Sequence, residues 1–227
     1  MRHMPDKTVA TPGRRVIELA PDLTAAFVQE LLHRAIAGFG PFPSAALAAG
    51  QHLRDHDGDP AAAVHAVIET HVRYAAAQGF VTNVGGLLTV PVALPANLCG
   101  LALIQCRMIA IIGRIRGYDL ADPRTRNGIL ACLLGEDAVD RLVAARALPA
   151  PPMALATAPA HDPELPRLVA AEVAADLISR VAGKRLATTV GRRIPLAGGL
   201  VGAGVDGYAT WKVGRYADLE LLPRRTR

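Results

Sequence analysis

Residues 74–106 read YAAAQGFVTNVGGLLTVPVALPANLCGLALIQC, a run from Tyr74 to Cys106 without one Asp, Glu, Lys, Arg or His. Its apolar residues are mostly Ala, Leu and Val, and its breaks are Gly85-Gly86, Pro91 and Pro95. From Phe80 to Val90 it is too short to cross a hydrocarbon core as a helix, which takes about 20 residues. After the break, Pro95 opens a helix expected to run past Arg107 to Arg116, and an amphipathic run, RMIAIIGRIRGYDLADPRTRN, continues to Asn127. A second Gly-rich apolar stretch, IPLAGGLVGAGVDGYA at 194–209, holds one acid, Asp206. Leu87–Val92 is the one candidate strand, and no period-2 pattern occurs elsewhere. Both stretches therefore predict an all-α, multi-helix bundle built around two Gly-rich apolar helical hairpins.

Composition agrees with that class. Hydrophobic residues make up 51% of the 227, but aromatics only 4%, so the apolar content is aliphatic, as in close-packed helices. Mean hydropathy is +0.26. The net charge of +5 is uneven: from Arg180 onward ten Lys or Arg face three acids, a local +7, which leaves −2 for the first 179 residues. A basic region beside an apolar segment suits anionic lipid headgroups. Nucleic acid is disfavoured, because single-strand binders interleave exposed aromatics with their basic groove and here only Tyr208, Trp211 and Tyr216 are available. The three cysteines, Cys99, Cys106 and Cys132, form no CxxC and sit among apolar residues, which reads as buried thiols in a reduced, cytoplasmic-facing protein. The N-terminus has no apolar core of a secretory signal.

Along the chain, residues 1–20 read as a flexible basic leader, 21–222 as a single helical domain, and 223–227 as a basic tail. Asp22 is the expected N-cap of a first helix ending at Gly38. GFGPFP (38–43) breaks the chain, a helix from about Ser44 to Asp55 follows, and Asp59-Pro60 caps a third running to Gln78. Gly117 ends the helix after Arg107, and Asp122-Pro123 caps the next. Residues 147–166, with six prolines, read as an internal Pro/Ala linker. Leu168–Arg185 and Leu196–Leu219 complete the helices.

Catalytic patterns are absent. The two serines, Ser44 and Ser179, lie outside any GxSxG, and no nucleophile–base spacing emerges, so no catalytic residue is assigned. No metal is assigned either: His52 and His56 stand at i,i+4 near Asp57 and Asp59 but lack a third ligand at a recognised spacing. His33, His65 and His71 read as solvated or interface histidines. No cofactor is implied, since GGLVGAG (198–204) lacks the Gly-Lys-Ser/Thr and preceding strand of a phosphate loop. Those glycines fit helix packing instead, with Gly198 and Gly202 as one row and Gly199, Ala203 and Gly207 as another. Asp206 is costly amid its neighbours unless paired or wet. Arg107 is the cation with the most similar surroundings. One reading pairs Arg107 with Asp206, with Gln105 or Thr210 satisfying leftover groups; the other has both facing solvent.

The residues QCRM (105–108), RGYD (116–119) with Asp122-Pro123, and the glycine-rich helix with Asp206, Gly214, Arg215 and Tyr216 resemble the EcsC protein family over about residues 20–222. The hairpin is also similar to the hydrophobic membrane domain appended to some bacterial GTPases. The resemblance implies an all-helical bacterial protein, often membrane-associated, with no established reaction. Asn97 stands where the family usually carries an acid, so any role of that acid is neutralised here.

Three function classes are expected from these readings. The first is a non-enzymatic protein on the cytoplasmic side of the membrane, peripheral or hairpin-inserted, meeting anionic lipid or a membrane protein through Arg192, Arg193, Lys212, Arg215, Arg224 and Arg225. The second is a soluble cytoplasmic bundle, as a homodimer in one form, enclosing an apolar ligand such as a fatty acyl chain. The third is an enzyme with a polar cleft of Asn97, Gln105, Arg107, Asp206 and Tyr208.

Overall fold

The computed structural model describes the backbone of residues 24–84, 90–190 and 195–224, and the side chains of 24–81, 99–180 and 202–224. Nine helices occur among the described residues and no strand, only a bridge between Phe39 and Phe42. They are α1 (Ala25–Ala37), α2 (Ala45–Asp55), α3 (Pro60–Val84), α4 (Val90–Ile115), α5 (Pro123–Leu134), α6 (Glu136–Ala144), α7 (Pro152–Ala156), α8 (Leu165–Val190) and α9 (Pro195–Glu220). The all-α bundle expected from the aliphatic composition is the fold.

Helix starts follow their caps. Ser44 Oγ accepts from Leu47 N, Asp59 Oδ1 from Ala61 N, and Asp122 Oδ1 from Arg124 N, each satisfying an N–H that the first turn leaves orphaned. The cap of α1 is Thr24, whose Oγ1 accepts from Phe27 N at 3.3 Å, and not Asp22, which lies outside the described residues. The third helix passes Gln78 and continues through Gly79 to Val84. The fourth begins at Val90, five residues before Pro95, so the described part of the candidate strand (90–92) is helical.

The axis of the bundle is the C-terminal half of α4. Every residue from Gln105 to Gly113 is buried, so this stretch is not amphipathic as its sequence suggests; α1, α2, α3, α5, α8 and α9 surround it. Gly117, at φ 85°, then reverses the chain, and Arg224 N closes onto the Arg116 carbonyl at 2.8 Å. The same all-round burial covers Asn127–Leu134 in α5.

The closest helix pair is α3 with α9, antiparallel: Ile68 meets Gly214, Val72 and Ala76 meet Gly207, and Gly79 meets Gly202. A Cβ added at Gly79 would stand 2.7 Å from the Gly202 carbonyl oxygen, so only glycine admits this approach. Gly202, Ala203 and Gly207 of the small-residue rows lie in α9, whereas Gly198 and Gly199 lie outside the residues with described side chains. The Pro/Ala stretch 147–166 is packed down: Leu148, Pro152, Leu155 and Ala156 are buried, and Gly128 of α5 lets α7 in so closely that a Cβ there would lie 2.7 Å from that of Ala156.

Candidate functional site

Two places in the bundle carry polar groups whose burial or exposure requires an explanation. The first lies along the α4–α9 contact. Gln105 Nε2 donates to Thr210 Oγ1 at 3.1 Å, and Thr210 donates to the Asp206 carbonyl at 2.8 Å. Asp206 is itself buried, with its carboxylate against Gly79, where a Cβ would come within 2.8 Å of Oδ2. Gln105 and Thr210 thus meet across the α4–α9 contact, and Thr210 is bonded to the main chain of Asp206 one turn before it.

Arg107 takes no part in this contact. It is buried, so the solvent-facing reading fails, but it forms no ion pair with Asp206. The reason is helical geometry: two residues beyond Gln105 is about 200° around α4, so a helix that presents Gln105 to α9 turns Arg107 away from it. Arg107 faces the other side, where its guanidinium stacks over the Phe42 ring at 5.5 Å. Phe42 stands on the turn between α1 and α2, in which Phe39 and Phe42 exchange backbone hydrogen bonds and Gly38 and Gly40 take positive φ. Phe42 in turn meets Tyr74 at 5.3 Å, and Tyr74 meets His71 at 5.7 Å, both edge-on.

His71 is 3% exposed and therefore neither solvated nor at an interface as its sequence context suggests. Its Nδ1 lies 2.8 Å from the Val67 carbonyl, a pure acceptor, so Nδ1 carries the proton and Nε2 a lone pair. Burial, partly countered by that bond and reinforced by Arg107 and His52, lowers its pKa to about 4, leaving the ring neutral at physiological pH. His52 on α2 is lowered as well, by burial first, then by His56 and Arg107, against Asp55. Two buried nitrogens in this cluster, Arg107 Nη1 and His71 Nε2, have no hydrogen-bond partner.

Helical periodicity was the signal that could have found His71: it lies four residues after Val67 and four before Ala75, on the inward stripe of α3. Of the residues expected to line an enzyme cleft, Gln105 and Arg107 face different sides of α4. Tyr208 is 63% exposed on the outside of α9, and the Asn97 side chain lies outside the described set. Cys106 and Cys132 are buried, and burial pushes the Cys106 thiol up to about 12, so it is inert at neutral pH. Among the described residues no His, Cys, Asp and Glu group could hold a metal. His65 does have a carboxylate one turn on, Glu69, at 3.1 Å on the surface.

The second place is the outer face of α9. Val205, Tyr208, Trp211, Lys212, Arg215 and Leu219 are all exposed and fall within an arc of about 120° at 100° per residue. Tyr208 and Trp211 stack on each other at 5.9 Å. Lys212 reaches Asp137 at 3.3 Å and Arg215 reaches Asp218 at 3.6 Å, both with the cation half-exposed. Arg224 lies over Tyr118 at 5.4 Å, and Arg192, Arg193 and Arg225 lie outside the described residues.

The model of the EcsC protein family matches residues 59–225, most of the chain. The chain belongs to the EcsC family. That match begins at the cap of α3 and runs through α9, so both the Arg107–His71 cluster and the α9 face fall inside the family's region, while α1, α2 and the Phe42 turn precede it. No curated protein and no solved structure matches the chain.

Proposed function

We propose that the protein is a non-enzymatic bundle that docks peripherally on the cytoplasmic, anionic face of a membrane through the outer face of α9. The observation that carries this reading is the exposed stripe Val205–Tyr208–Trp211–Lys212–Arg215–Leu219. A soluble surface rarely gathers a stacked Tyr and Trp with aliphatic residues on one helix face, and such patches mark interaction surfaces. Tyr and Trp suit a headgroup boundary because each has an apolar body and a polar tip. Lys212 and Arg215 stand where their stems can lie along the apolar stripe with their charges toward phosphate. Their partners, Asp137 and Asp218, hold them by surface pairs worth at most about 1 kcal/mol, little enough to exchange for lipid.

Peripheral attachment is proposed because the stripe lies on the surface of a helix whose other side packs on α3; among the described residues no helix is long and apolar enough to cross a membrane. At the same end of the α3–α9 pair as Gly202, Phe80 and Val81 are also exposed.

Flotation with vesicles tests this. Binding is expected to rise when phosphatidylglycerol is added to phosphatidylcholine and to fall with salt. The double substitution Tyr208→Ser with Trp211→Ser removes about 100 Å² of membrane-facing apolar area, about 2.5 kcal/mol and more than tenfold in binding. Binding that survives it would overturn the proposal. Concentration-dependent dimerisation abolished by the same substitutions would instead assign this face to a second copy of the chain.

A further inference from the structure

The two ends of the bundle differ in charge. A Cβ at Gly79 would strike the Gly202 carbonyl and one at Gly100 the Gln78 side chain, so α3, α4 and α9 pass this level side by side. Beyond it α3 runs on to Val84, α4 reaches back to Val90 and α9 to Pro195, about 7–15 Å of helix at 1.5 Å per residue. Residues 80–84, 90–99 and 195–201 include no Asp, Glu, Lys, Arg or His. Only residues 191–194 join α8 to α9, so α8 finishes at this end too, with Lys184 and Arg185 in its last two turns. No acid occurs from Thr70 to Tyr118 or from Leu177 to Val205. The other end is dense in charge of both signs: there Arg224 N closes on the Arg116 carbonyl, Arg116 pairs with Asp218, Arg124 pairs with Asp122, and Asp119 is exposed.

Side chains that reach the surface near the charge-free end include Phe80 and Val81 on α3, Leu103 and Ile104 on α4, and Val205 and Tyr208 on α9. Val81 is 70% exposed. We propose that this end of the bundle leads onto the membrane, with the ends of α3, α4 and α9 entering the boundary between the headgroups and acyl chains of an anionic bilayer. The contact is shallow, about 10 Å at most, and spans nothing. Charge complementarity selects this occupant: cations without acids are attracted to anionic headgroups, and the charge-free helix ends meet the boundary without a buried charge. The inference rests on the α9 reading for its partner and adds a second surface and an orientation. The stripe on α9 then stands tilted, with Val205, Tyr208 and Trp211 nearest the lipid. Leu219, about 20 Å farther along the helix than Val205, stays clear of it.

Site-directed fluorescence on the full chain tests it. An environment-sensitive fluorophore is attached at Val81→Cys in a Cys99→Ala background, where the remaining thiols, Cys106 and Cys132, are buried. The same label at Asp119→Cys reports the opposite end. With vesicles of phosphatidylglycerol and phosphatidylcholine, the label at 81 is expected to shift to shorter wavelength and to be quenched by lipids spin-labelled near the top of the acyl chain, and the label at 119 to do neither. Val81→Asp, at a position exposed enough to leave folding intact, should weaken vesicle binding at least tenfold, and Leu219→Ser should leave it within twofold. An unmoved label at 81, equal responses at 81 and 119, or parental binding by Val81→Asp would overturn the proposal. Dimerisation in solution that Val81→Asp abolishes would overturn it as well, giving this end to a second copy of the chain. The two surfaces fail separately. If Tyr208→Ser with Trp211→Ser abolishes flotation while the label at 81 of the bound parent stays unmoved, the α9 reading stands and this one falls; if that double variant still floats with the label at 81 shifted, the reverse holds.

Discussion

His71 shows how one residue can set an acid limit on stability. Folded, its pKa lies near 4; unfolded it returns to 6.5. Between those values the unfolded chain binds a proton that the native state refuses, so stability rises with pH across this window and is lost as pH falls from 6.5 toward 4. A shift of this size corresponds to about 3 kcal/mol between the two ends. Urea unfolding at pH 7.5 and pH 4.5 should show His71→Leu losing that much less than the parent over the same interval; equal losses would mean that His71 is not buried neutral. Arg107 makes the complementary case at neutral pH. With no bonded acid, its charge destabilises the fold, so Arg107→Met is expected to raise the melting temperature, and a marked fall would mean that the guanidinium is satisfied within the protein. The residue types at both positions were plain in the sequence, and Arg107 stood out amid QCRMIAII. What could not be read was direction. The 200° that separates Gln105 from Arg107 gives Thr210 to the first and Phe42 to the second, and only the position of α9 around α4 decides which.

Elements were more legible at their starts than at their ends. Ser44, Asp59-Pro60 and Asp122-Pro123 each begin the helix that their side chains announce, because capping is a local hydrogen bond. The end of α3 and the start of α4 both lie within the uncharged stretch, since α3 continues through Gln78 and Gly79 to Val84 and α4 is helical from Val90, before Pro95. Contacts between elements left weaker traces. The carbonyls of Leu133 and Leu134 at the end of α5 receive Arg180 Nη2 from α8, at 3.5 and 3.1 Å, with Asp176 holding the guanidinium at 2.6 Å. Nothing in the sequence around 133 points to residue 180. Glycine did leave a trace: the rows in α9 predicted a close neighbour, and the neighbour is α3, which supplies Gly79 of its own. Gly79→Ala places a methyl 2.7 Å from the Gly202 carbonyl, backbone that cannot rotate aside, so α3 and α9 must separate. A loss of about 1–3 kcal/mol in chemical denaturation is expected. Gly204→Ala, where a Cβ meets nothing within 4 Å, is the control and should keep stability or raise it by about 0.5–1 kcal/mol, alanine being the better helix former.

At the scale of the whole molecule, the question is whether the six prolines of 147–166 divide the chain. Composition reads them as a linker, yet helices on either side of that stretch are partners: α1 packs on α8, α5 on α8, and α3 on α9. Gln29 of α1 donates to the Pro166 carbonyl at 2.9 Å, and Glu220 of α9 accepts from Met153 N at 3.1 Å, which ties the stretch to distant elements at its end and near its middle. Neither part buries its apolar face alone, since α3 would lose α9 and α4 would lose a wall. Prolines therefore set the path of the backbone here without loosening it, and Leu155, 2% exposed under α5, anchors the middle. Leu155→Ala is expected to cost about 2–5 kcal/mol and to lower the single unfolding transition of the entire chain. Native-state proteolysis should then cut the parent slowly within 147–166 and the variant faster, in proportion to its loss of stability. Rapid cleavage of the parent into two fragments that each stay folded would show instead that the stretch joins two independent bodies.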